Sequence, residues 1–488
     1  MPVAFYKTAQ GDLLKRYPWE TLPEHAGAPH PTMVQARVLG GGSSVNAMVY
    51  VRGQRADFDS WEAYGGKEWG YESVMNYFRK SENNDRFCNE FHGVDGPLAI
   101  SDQHFTHPLS KIWLQACQQA GLPWNSDFNT GNQLGCGLYQ ITARNGRRSS
   151  AAVAFLKPAR KRKNLGVKTG CRVLRILFDG RRAVGVEYLD NGKLRTLHAD
   201  REVIITSGSI NTPKLLMLSG IGPAEHLNSH GIKVIQDLPG VGQNLQDHIE
   251  VSMLSELNSA FSYDKYKKWY WQLAAGLQYV LFNSGPVTAN IVEGGAFWTS
   301  PLSDGRPDVQ YCFMPGAGID EGVDGVPGGN GCTVNVCQTR PRSVGHLQLR
   351  SGDPKDLPII RPNYLKEQFD VDTMAEGIRF GREVMQQSVI AKHIKREYVP
   401  PHPLNSLDDY RAFVRKEAHA ALHPVGTCRM GDDVMAVVGA DLRVRGVDGL
   451  RVADNSVAPN LISGNTNSIA IMIGEKAADL VRSDRKSL

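Results

Sequence analysis

Residues 202–206, Glu-Val-Ile-Ile-Thr, form a continuous apolar run, the pattern of a strand buried on both faces of a parallel sheet. Ser207-Gly208-Ser209 turns the chain. Thr212 before Pro213 then predicts a helix start, because a proline's missing N–H costs nothing at the first helical position. A second short strand, 449–454, ends in Asp454. Ile469, Met472, Ile473, Ala477 and Leu480 recur at helical spacing and predict a helix over 465–481 with one buried face. Residues 168–178, 182–188 and 193–198 read as a three-stranded meander with turns at Asp179-Gly180 and Asp190-Asn191-Gly192.

The middle, about 250–416, differs in texture. Residues 308–313, 332–337 and 346–350 alternate like antiparallel strands, and 371–385 reads as a helix beside them. The pattern predicts an α/β unit of parallel strands and helices, interrupted by an antiparallel sheet with helices on one side. No internal repeat or low-complexity segment is visible.

Composition narrows this little. At 488 residues, 41% hydrophobic and 22% charged, the chain is long enough for two or three globular domains. A net charge of +5 is too mild to imply nucleic acid. The basic run 157–163 follows a short apolar helix face, 151–156, and reads as a solvated helix end. No apolar run reaches the length of a membrane span, and no signal peptide is visible. The eight cysteines form no CxxC pair, which suits a reduced compartment. The expected location is the cytoplasm, with peripheral membrane contact compatible but not signalled. Cys428 reads as a small buried residue.

The fifty glycines acquire meaning at particular turns. Arg37-Val-Leu-Gly-Gly-Gly-Ser-Ser-Val-Asn46 would let backbone approach a flat, phosphate-bearing cofactor. His423-Pro-Val-Gly-Thr-Cys-Arg-Met-Gly431 places a histidine at a sharp turn. Both segments resemble the glucose-methanol-choline (GMC) family of FAD-dependent alcohol oxidoreductases. Segments 208–222, 238–248 and 449–459 are similar to further motifs of that family, in the same order. The resemblance implies an FAD-binding domain of Rossmann type, interleaved with the antiparallel substrate domain. On that basis 1–100, 145–249 and 421–488 are expected to form the first, and 101–144 and 250–420 the second.

Family members open with a G-x-G-x-x-G unit, whereas the segment 1–6 resembles one some tens of residues further in. An upstream segment carrying that turn is therefore expected. Gly240-Val241-Gly242 imitates it but has Leu245 in the third glycine's place, so it reads as a cofactor-adjacent loop.

Oxidising an alcohol requires a base, since a free hydroxyl is a poor hydride donor. A histidine of ordinary pKa, ~6.5, is neutral near pH 7 and suits the task. His423 matches the family's base. Asn467, counted back from Met472, is expected as its partner across the substrate oxygen, donating to a developing alkoxide. His419 lies one helical turn away, but Pro424 and the lack of a third ligand argue against a metal site.

The resemblance assigns cofactor contacts to Arg37, Gly41, Gly42, Ser43, Asn46, Met48, the backbone of Val173, Ser207, Asp454, Asn465 and Thr466. The last helix would aim its N-terminus at the flavin's N1–C2=O edge. Val45 stands where some members bond FAD through histidine, so non-covalent FAD is expected. Glu293 resembles an acid that meets the cation in choline-oxidising members, and is the expected substrate residue. Trp61, Trp69 and Trp298 read as packing.

The activity implied is oxidation of a primary alcohol to an aldehyde with hydride transfer to flavin N5. Oxygen, a quinone or another carrier would take the electrons. Two alternatives stay open: an FAD-containing lyase of the same fold, and an inactive shortened product without FAD.

Overall fold

The computed structural model describes residues 2–4, 11–20, 32–318 and 325–486. Of the opening segment, residues 1, 5 and 6 lie outside these.

Alternation in the middle of the chain yields a seven-stranded antiparallel sheet. Its strands run in the spatial order Ile394–Val399, Ile249–Leu257, Gly331–Gln338, Val309–Met314, Gly294–Trp298, Gly135–Leu138, and His419–Ala420 adds to Ile249–Leu257. Val251 faces Val336, which in turn faces Tyr311, so residues of like character align across strands. Val251, Met253, Tyr311, Phe313, Val334 and Val336 point to one face and pack under the helices Gln368–Met385 and Pro108–Gln119. The first helix lies unusually close: a Cβ on Gly377 would stand 3.0 Å from Val336, and one on Gly381 2.6 Å from Met253. Glu250, Ser252, Cys312, Met314 and Asn335 point the other way and form one wall of a large cavity. The period of two thus separates core from site.

The meander forms as expected from Cys171–Asp179, Arg182–Asp190 and Lys193–His198, with the second strand in the middle. Gly180, Asn191 and Gly192 have positive φ, as two-residue hairpin turns require. Strands Val203–Ile205 and Leu450–Val452 pair in parallel.

Four expectations need correction. Residues 202–206 are not buried on both sides: Ile204 is 44% exposed, because no described element covers that face. The helix Gly208–Leu218 starts before Thr212 and holds Pro213 inside it. Proline is tolerated there because the Ser209 carbonyl, its missing partner, accepts the Thr427 hydroxyl at 2.6 Å. The last helix spans Asn467–Lys486, starting two residues late; the Asn465 and Thr466 carbonyls accept its first intrahelical bonds. Strand His346–Gln348 pairs with Ile359–Arg361 in a separate ladder and does not join the large sheet.

Trp61 and Trp69 are fully buried in a second cluster, which contains the inward face of the last helix, Ile469, Met472, Ile473 and Ala477. Trp298 stacks on Phe380 at 4.6 Å.

A buried charged network centres on Arg52 and Glu82. Arg52 pairs with Glu82, and both side chains are almost wholly inaccessible. Glu82 also meets His92 Nδ1 at 2.9 Å, and His92 Nε2 meets Asp127 at 2.8 Å. Arg52→Met would strand the Glu82 charge in the interior. Loss of one partner of a buried pair costs about 3–5 kcal/mol. Urea unfolding should show a loss of that size, and a change below ~1 kcal/mol would contradict the assigned role.

Candidate active site

The cavity between the sheet wall and the motif-bearing loops has a volume of about 1490 Å³. Ligand pockets commonly span ~300–1,000 Å³, so a large cofactor and a small substrate fit together here. Gly41, Gly42, Ser43, Val45, Asn46, Met48, Ser207, His423, Asp454, Asn465, Thr466 and Asn467 all contribute to its lining. Segments from both ends of the chain therefore converge as the sequence indicated.

The glycine-serine segment enters through Gly40 and Gly41, both at positive φ, and continues as a short 3-10 turn, Gly41–Ser44. A Cβ added to Gly41 or Gly42 would meet no atom within 4 Å, so bare backbone faces open space. Ser43 Oγ donates to Gly40 O at 2.6 Å and accepts from Ala151 N at 2.9 Å. Arg148 grips the same loop, donating to Asn46 Oδ1 at 2.7 Å, Asn46 O at 2.7 Å and Ser43 O at 3.0 Å. Burial lowers the Arg148 guanidinium to about 10. Met48, at φ 65, bends the chain back and bonds Asn46 Oδ1 through its N–H at 3.2 Å.

Asp454 borders the cavity, but its carboxylate is already engaged. Oδ2 accepts from Gly208 N at 2.9 Å and the Thr212 hydroxyl at 2.6 Å, and Oδ1 from Ser456 N at 2.9 Å. It ties the start of the helix Gly208–Leu218 to the turn at 454–456.

The protonation pattern around His423 follows from its neighbours. His248 is buried, and its Nε2 lies 2.9 Å from Ile462 O and 3.1 Å from Thr339 O. Two carbonyls can only be met by a donor, so His248 carries its proton on Nε2. Its Nδ1 is then an acceptor for His423 Nδ1–H, 2.9 Å away. His423 Nε2 is left as the lone-pair nitrogen. Burial, with the adjacent His248, lowers His423 to about 3, and burial lowers His248 to about 4. Both rings are neutral at pH 7. The His423 backbone N–H donates to Asp247 Oδ1 at 2.6 Å, while Tyr364 holds Oδ2 at 2.6 Å. Burial raises Asp247 to about 7 against the pull of these bonds.

Of the two asparagines near the last helix, Asn465 is the direct neighbour of His423. Asn465 Nδ2, not Asn467, lies 3.3 Å from His423 Nε2. Asn465 precedes the helix, and its turn directs the amide toward the histidine; Asn467 is the first helical residue and lines the same cavity. Asn465 Oδ1 is buried with no hydrogen-bond partner among the described residues, the state of a group waiting for a ligand donor.

Three other expected residues stand apart. Arg37 is exposed on the approach to the loop and does not line the cavity. Val173 is 42% exposed in the meander, paired with Tyr188, and is likewise outside the lining. Glu293 is fully buried behind the wall. It accepts from Tyr263 OH, from Ser110 Oγ at 2.7 Å and from His107 N at 2.7 Å, while its neighbour Val292 reaches the cavity. Direct substrate contact by Glu293 is thus not what the geometry shows.

His248, Asp247 and Arg148 were not picked out from the sequence. The first two end a recognised motif, which was the available signal; Arg148 carried none.

Two sequence models of the GMC oxidoreductase family match, over residues 27–250 and 341–474. The chain belongs to this family. It is 42% identical to the alcohol dehydrogenase [acceptor] of Pseudomonas putida, over 92% of this chain and 82% of that protein. It is 42% identical to the oxygen-dependent choline dehydrogenase of Rhizobium etli, over 96% and 85% of the two chains. It is 41% identical to the mitochondrial choline dehydrogenase of Homo sapiens, over 92% and 76%. Among solved structures, formate oxidase from Aspergillus oryzae superposes with a TM-score of 0.91 at 27% identity, covering 100% and 91% of the chains. Pyridoxine 4-oxidase from Mesorbium loti gives 0.87 at 28% identity, covering 99% and 91%.

The chain is an FAD-dependent GMC oxidoreductase, and the site fits that cofactor. Open glycine backbone and a helix N-terminus on the cavity suit a large anionic group, and the unpartnered Asn465 carbonyl suits a donor on it. Among the described residues no helix is long and apolar enough to cross a membrane.

Burial raises Glu293 to about 7. An unfolded glutamate titrates near ~4.3, so this carboxyl favours the fold at acid pH and loses that contribution as pH climbs toward 7. Glu293→Gln removes the titration. Its stability relative to wild type should rise between pH 5 and 7, by up to about 1.4 kcal/mol per pH unit, and level off above. Calorimetry showing a constant difference across that range would refute the buried-carboxyl assignment.

Proposed function

We propose that this chain oxidises a primary alcohol to the aldehyde, with His423 Nε2 as the proton acceptor. The carrying observation is the fixed tautomer: two backbone carbonyls set His248, and His248 sets His423 with its lone pair on Nε2. The low pKa of His423 keeps that lone pair available at neutral pH. Kinship with alcohol and choline dehydrogenases supports an alcohol as substrate.

In this reading the hydroxyl binds between His423 Nε2 and Asn465. His423 takes the hydroxyl proton, and an Asn465 N–H donates to the oxygen as negative charge develops. Bound FAD would supply the hydride acceptor here, and oxygen, a quinone or another carrier would take the electrons. Gly41, Gly42, Ser43, Asn46 and the start of the last helix would hold the cofactor. Val45 offers no nucleophile, so that binding is non-covalent at this position. Arg148 and Asp454 keep the binding loops in place, and Asp247 fixes the His423 backbone.

Glu293 acts behind the wall, setting the position of Val292. It gives no support to a cationic substrate over a neutral one.

His423→Ala in the FAD-loaded protein should slow anaerobic flavin bleaching by alcohol about 10²–10⁴-fold, the usual effect of deleting a general base. Flavin content should stay the same. Stopped-flow absorbance reads both quantities. An unchanged bleaching rate would remove His423 as base, and a wild-type flavin that no alcohol bleaches would point instead to a lyase.

A further inference from the structure

The helix Trp269–Phe282, Trp-Tyr-Trp-Gln-Leu-Ala-Ala-Gly-Leu-Gln-Tyr-Val-Leu-Phe, is apolar but scarcely buried. Trp269 is 74% exposed, Val280 77% and Phe282 73%; Tyr270, Trp271, Leu273, Leu277 and Leu281 are exposed as well. Only Ala275 is buried. The helix is fastened at its far end, where Tyr279 OH donates to Gly146 O at 3.4 Å and the cap residue Asn283 donates to Asn145 O at 2.8 Å. No charged residue occurs between Lys268 and Glu293.

We propose that this helix lies in the surface of an anionic lipid bilayer. At roughly 100° per residue its exposed apolar side chains sweep more than half of the helix circumference. A protein partner packs against a narrower stripe; a helix immersed in the headgroup–acyl boundary needs the wide arc. Its fourteen residues span about 21 Å, short of the ~30 Å hydrocarbon core, so it lies on the membrane rather than across it.

Tryptophan and tyrosine cluster at the N-terminal end, the side chains that favour the interface. Cations flank that apolar surface. Lys265 sits over the Tyr266 and Trp271 rings, at 5.1 and 5.3 Å, and Lys268 is exposed at the helix entry. Arg147 is exposed beside the Gly146 anchor. This charge complements phosphate headgroups.

Flotation of the FAD-loaded chain with vesicles tests this. The protein should float with phosphatidylcholine vesicles containing one-third phosphatidylglycerol. It should bind pure phosphatidylcholine at least about tenfold more weakly, and added salt should release it. A triple variant, Trp269→Ser, Val280→Ser and Phe282→Ser, should remain with the soluble fraction, while its alcohol oxidation and melting temperature stay as in wild type. Lys268→Glu with Arg147→Glu should remove the preference for anionic lipid. Failure of the wild type to float at millimolar lipid would overturn the proposal, as would binding that survives the triple variant. Concentration-dependent dimers that the triple variant abolishes, with no vesicle binding, would assign the surface to a second copy of the chain.

Discussion

Three buried aspartates hold the cavity together. Asp57 accepts from Ser463 N at 2.7 Å, Asp247 from His423 N at 2.6 Å and Asp454 from Gly208 N at 2.9 Å. These bonds join residues 406, 176 and 246 positions apart. Each closes a long loop, for which apolar packing alone supplies no fixed register. A carboxylate has several acceptor sites and therefore makes several bonds at one point. Asp57 also accepts from Gln54 N at 2.7 Å, and Asp454 from Thr212 and Ser456. The loops that would contact cofactor and substrate are thus positioned by hydrogen bonds whose other ends lie elsewhere in the chain.

The same burial determines the chemistry. It pushes Asp247 up and His423 down, so carboxylate and imidazole do not form a charged pair. Asp247 bonds the backbone of His423, not its ring. In a carboxylate–histidine couple the acid stabilises the imidazolium and raises its pKa. Here a second neutral imidazole occupies that place, which orients the ring without adding charge. The arrangement keeps His423 neutral with its lone pair free at pH 7, and gives up some stabilisation of the protonated product.

Local pattern was enough to read the meander, the buried face of the last helix, the helix over the antiparallel sheet and the loops that converge on the site. What it missed depends on long-range partners. Pro213 is acceptable inside a helix only because Thr427 reaches the Ser209 carbonyl. The His248–His423 contact joins residues 175 positions apart, so neither histidine's local sequence announces it. Asn465 and Asn467 share one short segment, and choosing between them requires knowing where the helix begins. Helix boundaries are the least legible feature of a sequence, and a shift of two residues turns a side chain by about 200°.

Glu293 shows how one residue decides between substrate contact and scaffold. Along extended backbone, successive side chains alternate in direction. Val292 points into the cavity; Glu293 therefore points away, into the seat formed by Tyr263, Ser110 and His107. There it links the segment leading to the antiparallel sheet with the start of the helix Pro108–Gln119, and the backbone N–H it accepts belongs to that helix's N-cap. An acid suits this place because the wall needs an acceptor with two oxygens, whichever alcohol the cavity admits. Charge on the substrate would have to be recognised by residues on the open side of the sheet, where Glu250 is the carboxylate that the strand alternation presents.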